Sequence, residues 1–199
     1  MNWLFLALLM VGQAPAGSKP AVDAENYLIG KADSPVRIEV FSDFQCPSCR
    51  AFYLNTVTKL ITEYAAGNKV AIVMHEFPLG IHPVSRPPAQ YAVAARMLGR
   101  ERLLKVIEHL YTCQAEWSYD GKIEPVIARI LTGDEMEKIK ERVKDPAIER
   151  TIDHEVELGN SKKVTSTPTV FVTMGGKEQT LVGGLSFPVF KEYIDRSLK

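Results

Sequence analysis

Cys46-Pro47-Ser48-Cys49 is the segment of this sequence whose residue types and spacing can carry out covalent chemistry. Two thiols so close can bond to each other or exchange disulfides with other thiols. From Pro47 to Ala66, Phe52, Val57, Leu60, Ile61 and Tyr64 recur at helical spacing, so Cys46 falls at a helix N-terminus. Pro47 then occupies a position where a missing N–H costs nothing. The unpaired backbone N–H groups and the helix dipole favour the thiolate there, and cysteines in comparable places titrate between about 3.5 and 7.5. Cys49, one turn further on, lies nearer the interior. Cys46 therefore reads as the attacking sulfur and Cys49 as the resolving one, able to attack a mixed disulfide held on Cys46.

The same spacing is half of a zinc site, which would need a second ligand pair. Cys113, His75, His82, His109 and His154 carry suitable atoms, but no second CxxC or His pair at zinc spacing accompanies them. No metal ligand and no cofactor is assigned. A purely structural Cys46–Cys49 disulfide is the other competing reading, and the strand-to-helix position among apolar neighbours argues for redox work instead. The 3 cysteines are too few for a disulfide scaffold. Cys113, near Trp117 and without a cysteine close in sequence, reads as a buried free thiol.

The elements that must hold the pair follow from periodicity. Val36 to Phe41 alternates and is rich in β-branched residues, which predicts a strand ending just before the cysteines. The helix to Ala66 stops at Gly67-Asn68, and Val70 to Phe77 is a second strand, so the unit implies a parallel pair with a crossover. From 85 to 163 the pattern is helical: Ala89 to Tyr111, Glu124 to Leu131, a helix capped by Thr132 with Glu135, and one opened by Asp145-Pro146. Thr169 to Thr173 is a strand, Met174 to Lys177 a turn, and Gln179 to Val182 its hairpin partner. Gly183-Gly184 reads as a tight exit into a last helix starting at Ser186 or Phe187.

Of the 199 residues, 46% are hydrophobic and 24% charged, ordinary values for a folded protein with a sizeable core. Lys plus Arg at 24 equal Asp plus Glu at 24, so no excess charge favours nucleic acid or an anionic surface. Trp3 to Val11 is an apolar run followed by small residues, too short to span a membrane and fitting a secretory signal cleaved after Ala16. The expected division is a signal peptide over 1–16, a first domain over 17–84 and 164–199, and a helical insertion over 85–163.

Leu28-Ile29-Gly30, Asp33 to Val36, Phe41 to Cys49 (FSDFQCPSC), Phe77-Pro78-Leu79 and His82-Pro83 together resemble the DsbA-like thioredoxin-fold oxidoreductases, the BdbD-type proteins among them. The resemblance runs from about Tyr27 to the C-terminus. It implies an α/β thioredoxin fold, a central mixed sheet flanked by helices, with an inserted all-helical subdomain. It implies a cis bond before Pro168 beside the cysteines, and a Thr167 backbone that pairs with a substrate segment. Pro47 and Ser48 would share in substrate binding, and Phe44, Pro47, Thr167 and Leu185 would form its apolar rim.

One position departs from the family. Many thioredoxin-like proteins bury an acid six residues before the first cysteine, where this chain has Val40. Glu39 is adjacent but alternation turns it to the opposite face. Proton transfer then falls to water, and after water to Glu76 or Asp43, although Asp43 reads better as a loop cap. His75 and His82 read as structural hydrogen-bonding groups.

The sequence thus predicts an exported, periplasmic or extracytoplasmic thiol-disulfide oxidoreductase with Cys46 and Cys49 as its redox pair. Its partners would be unfolded or partly folded exported proteins and, by resemblance, a membrane quinone-linked oxidase or a membrane reductant. Oxidase, isomerase and reductase directions stay open. The alternative is a non-catalytic thioredoxin-like chaperone or metal-binding protein.

Overall fold

The computed structural model describes residues 28–198, so the expected signal peptide over 1–16 lies outside the described residues. Five strands, β1 (Leu28–Ile29), β2 (Val36–Ser42), β3 (Val70–Glu76), β4 (Thr169–Met174) and β5 (Lys177–Val182), form one sheet in the order β1-β3-β2-β4-β5. β2 pairs parallel with β3 and antiparallel with β4, while β1 runs antiparallel to β3 and β5 to β4.

Alternation along β2 sends Val36, Ile38 and Val40 into the main core, where Val70, Ile72, Val170 and Val172 join them. The opposite face carries Phe41 and Phe171, packed with Phe77 and Val164. Glu39 is on that second face, bonded to Arg37 at 3.1 Å and Lys162 at 3.2 Å. His75 Nε2 stands 3.5 Å from Glu39, and with Lys162 and Arg37 it lowers the Glu39 carboxyl to about 2. His75 itself stacks on Phe41 with its Nε2 turned to Glu39, a structural place of the kind expected of it.

Helix α1, residues 47–65, crosses from β2 to β3. Its turns widen over Tyr53–Val57 and Ile61–Ala65, which keeps Phe52, Tyr53, Val57, Leu60 and Tyr64 buried. Between β3 and β4 lie α2 (Arg86–Ala95), α3 (Arg100–Thr112), α4 (Gln114–Trp117), α5 (Glu124–Ile127), α6 (Gly133–Val143) and α7 (Pro146–Ser161). α8 (Phe187–Ser197) closes the fold, and its Phe190 and Ile194 enter the main core. No helix among the described residues is long and apolar enough to cross a membrane.

The capping signals are realised. Thr132 and Glu135 bond reciprocally at the start of α6, and Asp145 accepts from the Ala147 N–H at 2.8 Å ahead of Pro146. Three boundaries differ from the sequence reading. The Ala89 to Tyr111 stretch is two helices, because a tight turn at Arg96–Leu98 leads into Gly99 at φ +89°, a conformation costly for any other residue. The Glu124 to Leu131 helix ends at Ile127, where Arg129 and Ile130 switch to tighter bonds three residues back. The hairpin turn is Gly175-Gly176 alone, since Met174 and Lys177 still pair across the strands.

Gly159 in α7 is a packing requirement. A Cβ there would stand 2.5 Å from Phe77 Cε2 and 3.0 Å from Phe41 Cδ1. Alanine would be the better helix former by about 1 kcal/mol, but the clash falls on rings locked edge to face. Gly159→Ala is expected to destabilise the fold by about 1–3 kcal/mol net. A denaturation midpoint equal to or above the parent's would contradict this packing.

Candidate active site

Cys46 is the N-cap of α1, with φ −72° and ψ 120°, and Pro47 follows in the first turn. It accordingly faces the helix's free N–H groups. Its sulfur is 3.4 Å from the Thr167 carbonyl, across the cis Thr167–Pro168 bond that opens β4. Cys49 is wholly buried one turn later, and the Asp43 N–H points at its sulfur at 3.4 Å. Both thiols are free. Pro47 and Ser48 are exposed beside them, and Thr167 is buried.

This arrangement separates the two sulfurs electrostatically. The Cys49 thiol is the main group that lowers Cys46, and the Cys49 N–H, the Thr167 hydroxyl and the Ser48 N–H add to it against the cost of burial. Together they bring Cys46 down to about 5. The Thr167 hydroxyl has no other hydrogen-bond partner among the described residues. Burial acts in the opposite direction on Cys49, and the neighbouring Cys46 adds to it, so the Cys49 thiol is held strongly in its protonated form. One sulfur is thus a ready nucleophile and the other a reserve.

Loops around the pair are tied by groups that sequence reasoning assigned only in part. Asp43, as expected of a cap, accepts from the Gln45 N–H at 2.7 Å, the Leu79 N–H at 2.7 Å and His82 Nδ1 at 2.8 Å. His82 therefore has the structural role predicted for it. Gln114, which the sequence reading passed over, donates to the carbonyls of Phe44 at 2.6 Å and Cys46 at 3.1 Å. Tyr111 and Ser42 were also missed; their hydroxyls are 2.7 Å apart. A signal existed, because Tyr111, Gln114 and Trp117 recur at three-residue spacing, and all three are buried despite the amide in their midst.

Phe44 corrects the expected rim. It is 3% exposed and its ring packs on Tyr111 at 4.8 Å, so it belongs to the core beneath the pair. Tyr111 arrives from the insertion and covers it. Leu185 lines, with Ser48, Phe52, Thr56, Phe187 and Pro188, an open groove of about 490 Å³ next to the cysteines. Cys113 is buried, 3.7 Å from His109 Nε2, and burial raises its thiol. His154 and His75 do not join it, and no group of three potential metal ligands occurs among the described residues.

A mixed sheet that sets a helix-capping cysteine and its buried partner against a cis-proline strand defines a thioredoxin-fold protein with a dithiol site. The chain belongs to the thioredoxin family, whose profile matches residues 23–195. It is 25% identical over 178 residues to the probable disulfide bond formation protein D of Bacillus cereus, spanning 86% of this chain and 78% of that protein. With the disulfide bond formation protein D of Bacillus subtilis it shares 20% over 195 residues, 94% of this chain and 83% of that one. Among solved structures, Wolbachia pipientis alpha-DsbA1 superposes with a TM-score of 0.73 at 19% identity, over 86% of this chain and 89% of that one. Oxidised BdbD from Bacillus subtilis gives 0.69 at 21%, over 86% and 92%. The thioredoxin fold with its helical block between β3 and β4 is therefore the fold of this chain.

The lowered Cys46 makes a direct pH prediction. Between about 5 and 9 the native thiol is ionised where an unfolded one would not be, so the reduced state gains stability that grows with pH and vanishes as pH falls through about 5. Alkylation of Cys46 in the reduced protein should titrate with a midpoint near 5. Cys49→Ala should move that midpoint upward, because it removes the largest source of the shift. A midpoint that stays put in the variant would refute the assigned cause.

Proposed function

We propose that this chain is an exported thiol-disulfide oxidoreductase that donates disulfides to protein thiols through Cys46 and Cys49. The observation that carries the reading is the asymmetry of the pair: an ionised Cys46 at a helix N-terminus above a buried, protonated Cys49. A substrate thiolate attacks Cys46 Sγ, the Cys46–Cys49 bond breaks, and a mixed disulfide forms. A second substrate thiolate then displaces Cys46, whose low pKa makes it a good leaving group. Stabilising the reduced form in this way drives the oxidising direction.

The surroundings fit such a substrate. Thr167 presents its carbonyl 3.4 Å from Cys46, where an extended peptide can add by backbone pairing. The groove over Ser48, Leu185 and Phe187 accepts an apolar side chain beside it. Pro47, Ser48, Thr167 and Pro168 are thus the substrate-contacting set. We assign 17–84 and 164–199 to the thioredoxin-like domain and 85–163 to the insertion.

Export follows from the apolar run Trp3 to Val11 with small residues up to Ala16. The partners are then exported proteins bearing thiols, and a membrane-bound oxidant that restores the Cys46–Cys49 disulfide. The names of the relatives, disulfide bond formation protein D, support the same direction.

Cys49→Ala should accumulate covalent mixed disulfides through Cys46, seen as reductant-sensitive adducts, whereas Cys46→Ala should form none. Equilibrated against glutathione, the pair should show a midpoint at or above about −180 mV. A value near about −270 mV would overturn the donor assignment, and absence of adducts in Cys49→Ala would overturn the oxidoreductase reading itself.

A further inference from the structure

Opening the Cys46–Cys49 disulfide expels Cys49 as a thiolate into a site that is wholly buried, where only the thiol is stable. A proton must reach it from somewhere. Val40, buried in the same core as the pair, has none to give. Glu39 is on the far face with Arg37, His75 and Lys162. Asp43 is close, but its two oxygens already accept from Gln45, Leu79 and His82 and hold the loop together.

The hydroxyls of Ser42 and Tyr111 lead elsewhere. Ser42, on the strand that leads into the cysteine loop, counters part of the rise in the Cys49 thiol, and its Oγ is 2.7 Å from the Tyr111 hydroxyl. Both residues are buried. Glu76 is the register partner of Ser42 on β3, so the two side chains leave the same face of the sheet. Burial first, then the charges of Cys49, Glu76 and Asp43, raise the Tyr111 hydroxyl well above its ordinary value, against the Ser42 bond.

The charges around Glu76 suit it to holding a proton. Its N–H donates to Glu155 at 2.6 Å, and Arg96 lies 3.1 Å from Glu155 but 3.8 Å from Glu76. A single buried guanidinium thus serves two carboxyl groups and favours Glu155. Burial first, then Glu155 and then Asp43, raise the Glu76 carboxyl well above the usual range. Arg96 is near enough to stabilise the carboxylate once the proton has gone.

We propose that Glu76 is the proton reservoir of the cysteine pair, serving Cys49 through the Ser42–Tyr111 hydroxyl pair in place of an acid at the Val40 position. This rests on the oxidoreductase reading above. When substrate thiolate attacks Cys46, the Cys46–Cys49 bond breaks with its electron pair on Cys49. Ser42 gives Cys49 a proton, Tyr111 resupplies Ser42, and the Glu76 carboxyl makes good the loss and becomes a carboxylate. Charge is conserved, because the thiolate consumed is replaced by the Glu76 carboxylate. Disulfide formation runs the same transfers backwards. Glu76 acts through the hydroxyls and does not touch the reacting sulfurs.

The test follows release of a small thiol from a preformed mixed disulfide on Cys46, the step in which Cys49 attacks and loses its proton, as a function of pH. Glu76→Gln keeps the shape of the side chain, and Tyr111→Phe breaks the path while leaving the Arg96 cluster intact. Each should slow release by about tenfold or more near neutral pH, and each should lose the same inflection from the pH profile. Alkylation of Cys46 in the Cys49→Ala background, which needs no proton from Cys49, should be unchanged by either substitution. If Glu76→Gln fails to fold, Tyr111→Phe decides alone. Parental release rates and pH profile in a folded variant of either kind would overturn the relay while leaving adduct trapping by Cys49→Ala, and hence the oxidoreductase reading, intact.

Discussion

The cysteine pair depends on β2 having one parallel and one antiparallel neighbour. A parallel β3 ends where β2 ends, and an antiparallel β4 begins there, so segments distant in sequence meet at one edge of the sheet. Ser42 is opposite Glu76, and Phe41 is opposite Thr169. Cys46 thereby comes within 3.4 Å of Thr167, which is 121 residues away in sequence. The same chain reversal starts α1 at this edge and aims its free N–H groups at the sulfur. Changing the direction of either neighbour would take the Thr167 carbonyl from Cys46 or Glu76 from beside Ser42, while each strand stayed intact.

Helices between β3 and β4 do more than cover the sheet. Gln114 holds two carbonyls of the cysteine loop, and Arg50 from α1 donates back to the Tyr111 carbonyl at 2.9 Å. Gln45 spans the remaining gap, accepting from the Val84 N–H and donating to the Ser118 carbonyl, both at 2.9 Å. Loop geometry at the sulfurs is therefore set jointly by the sheet and the insertion. A movement of α3 or α4 would be felt first at Phe44 and Cys46.

What could be read from the sequence was local. Alternation from Val36 to Phe41, the Thr132/Glu135 box and the Asp145-Pro146 start each state their geometry within a few residues, and each is found as expected. The helix-capping position of Cys46 is equally local, and the cis bond at Pro168 came with the family resemblance. Illegible features depend on partners far along the chain. Phe44 looked like rim until Tyr111, arriving from α3, covered it. Gln114 carried no mark of its targets, because both are backbone carbonyls some seventy residues earlier. Glu76 could be named as a candidate acid, but its environment is assembled from Arg96 and Glu155 on two other elements.

β5 has a consequence beyond the site. As the last strand in the sheet order it presents an open edge, and its residues Lys177, Glu178, Gln179 and Thr180 are all exposed. Lysine and glutamate on such an edge resist templated growth of the sheet by another extended chain. Under the proposed function extended clients would meet the chain at Thr167, just ahead of the interior strand β4, and the polar β5 keeps those same clients from adding to the edge beside it.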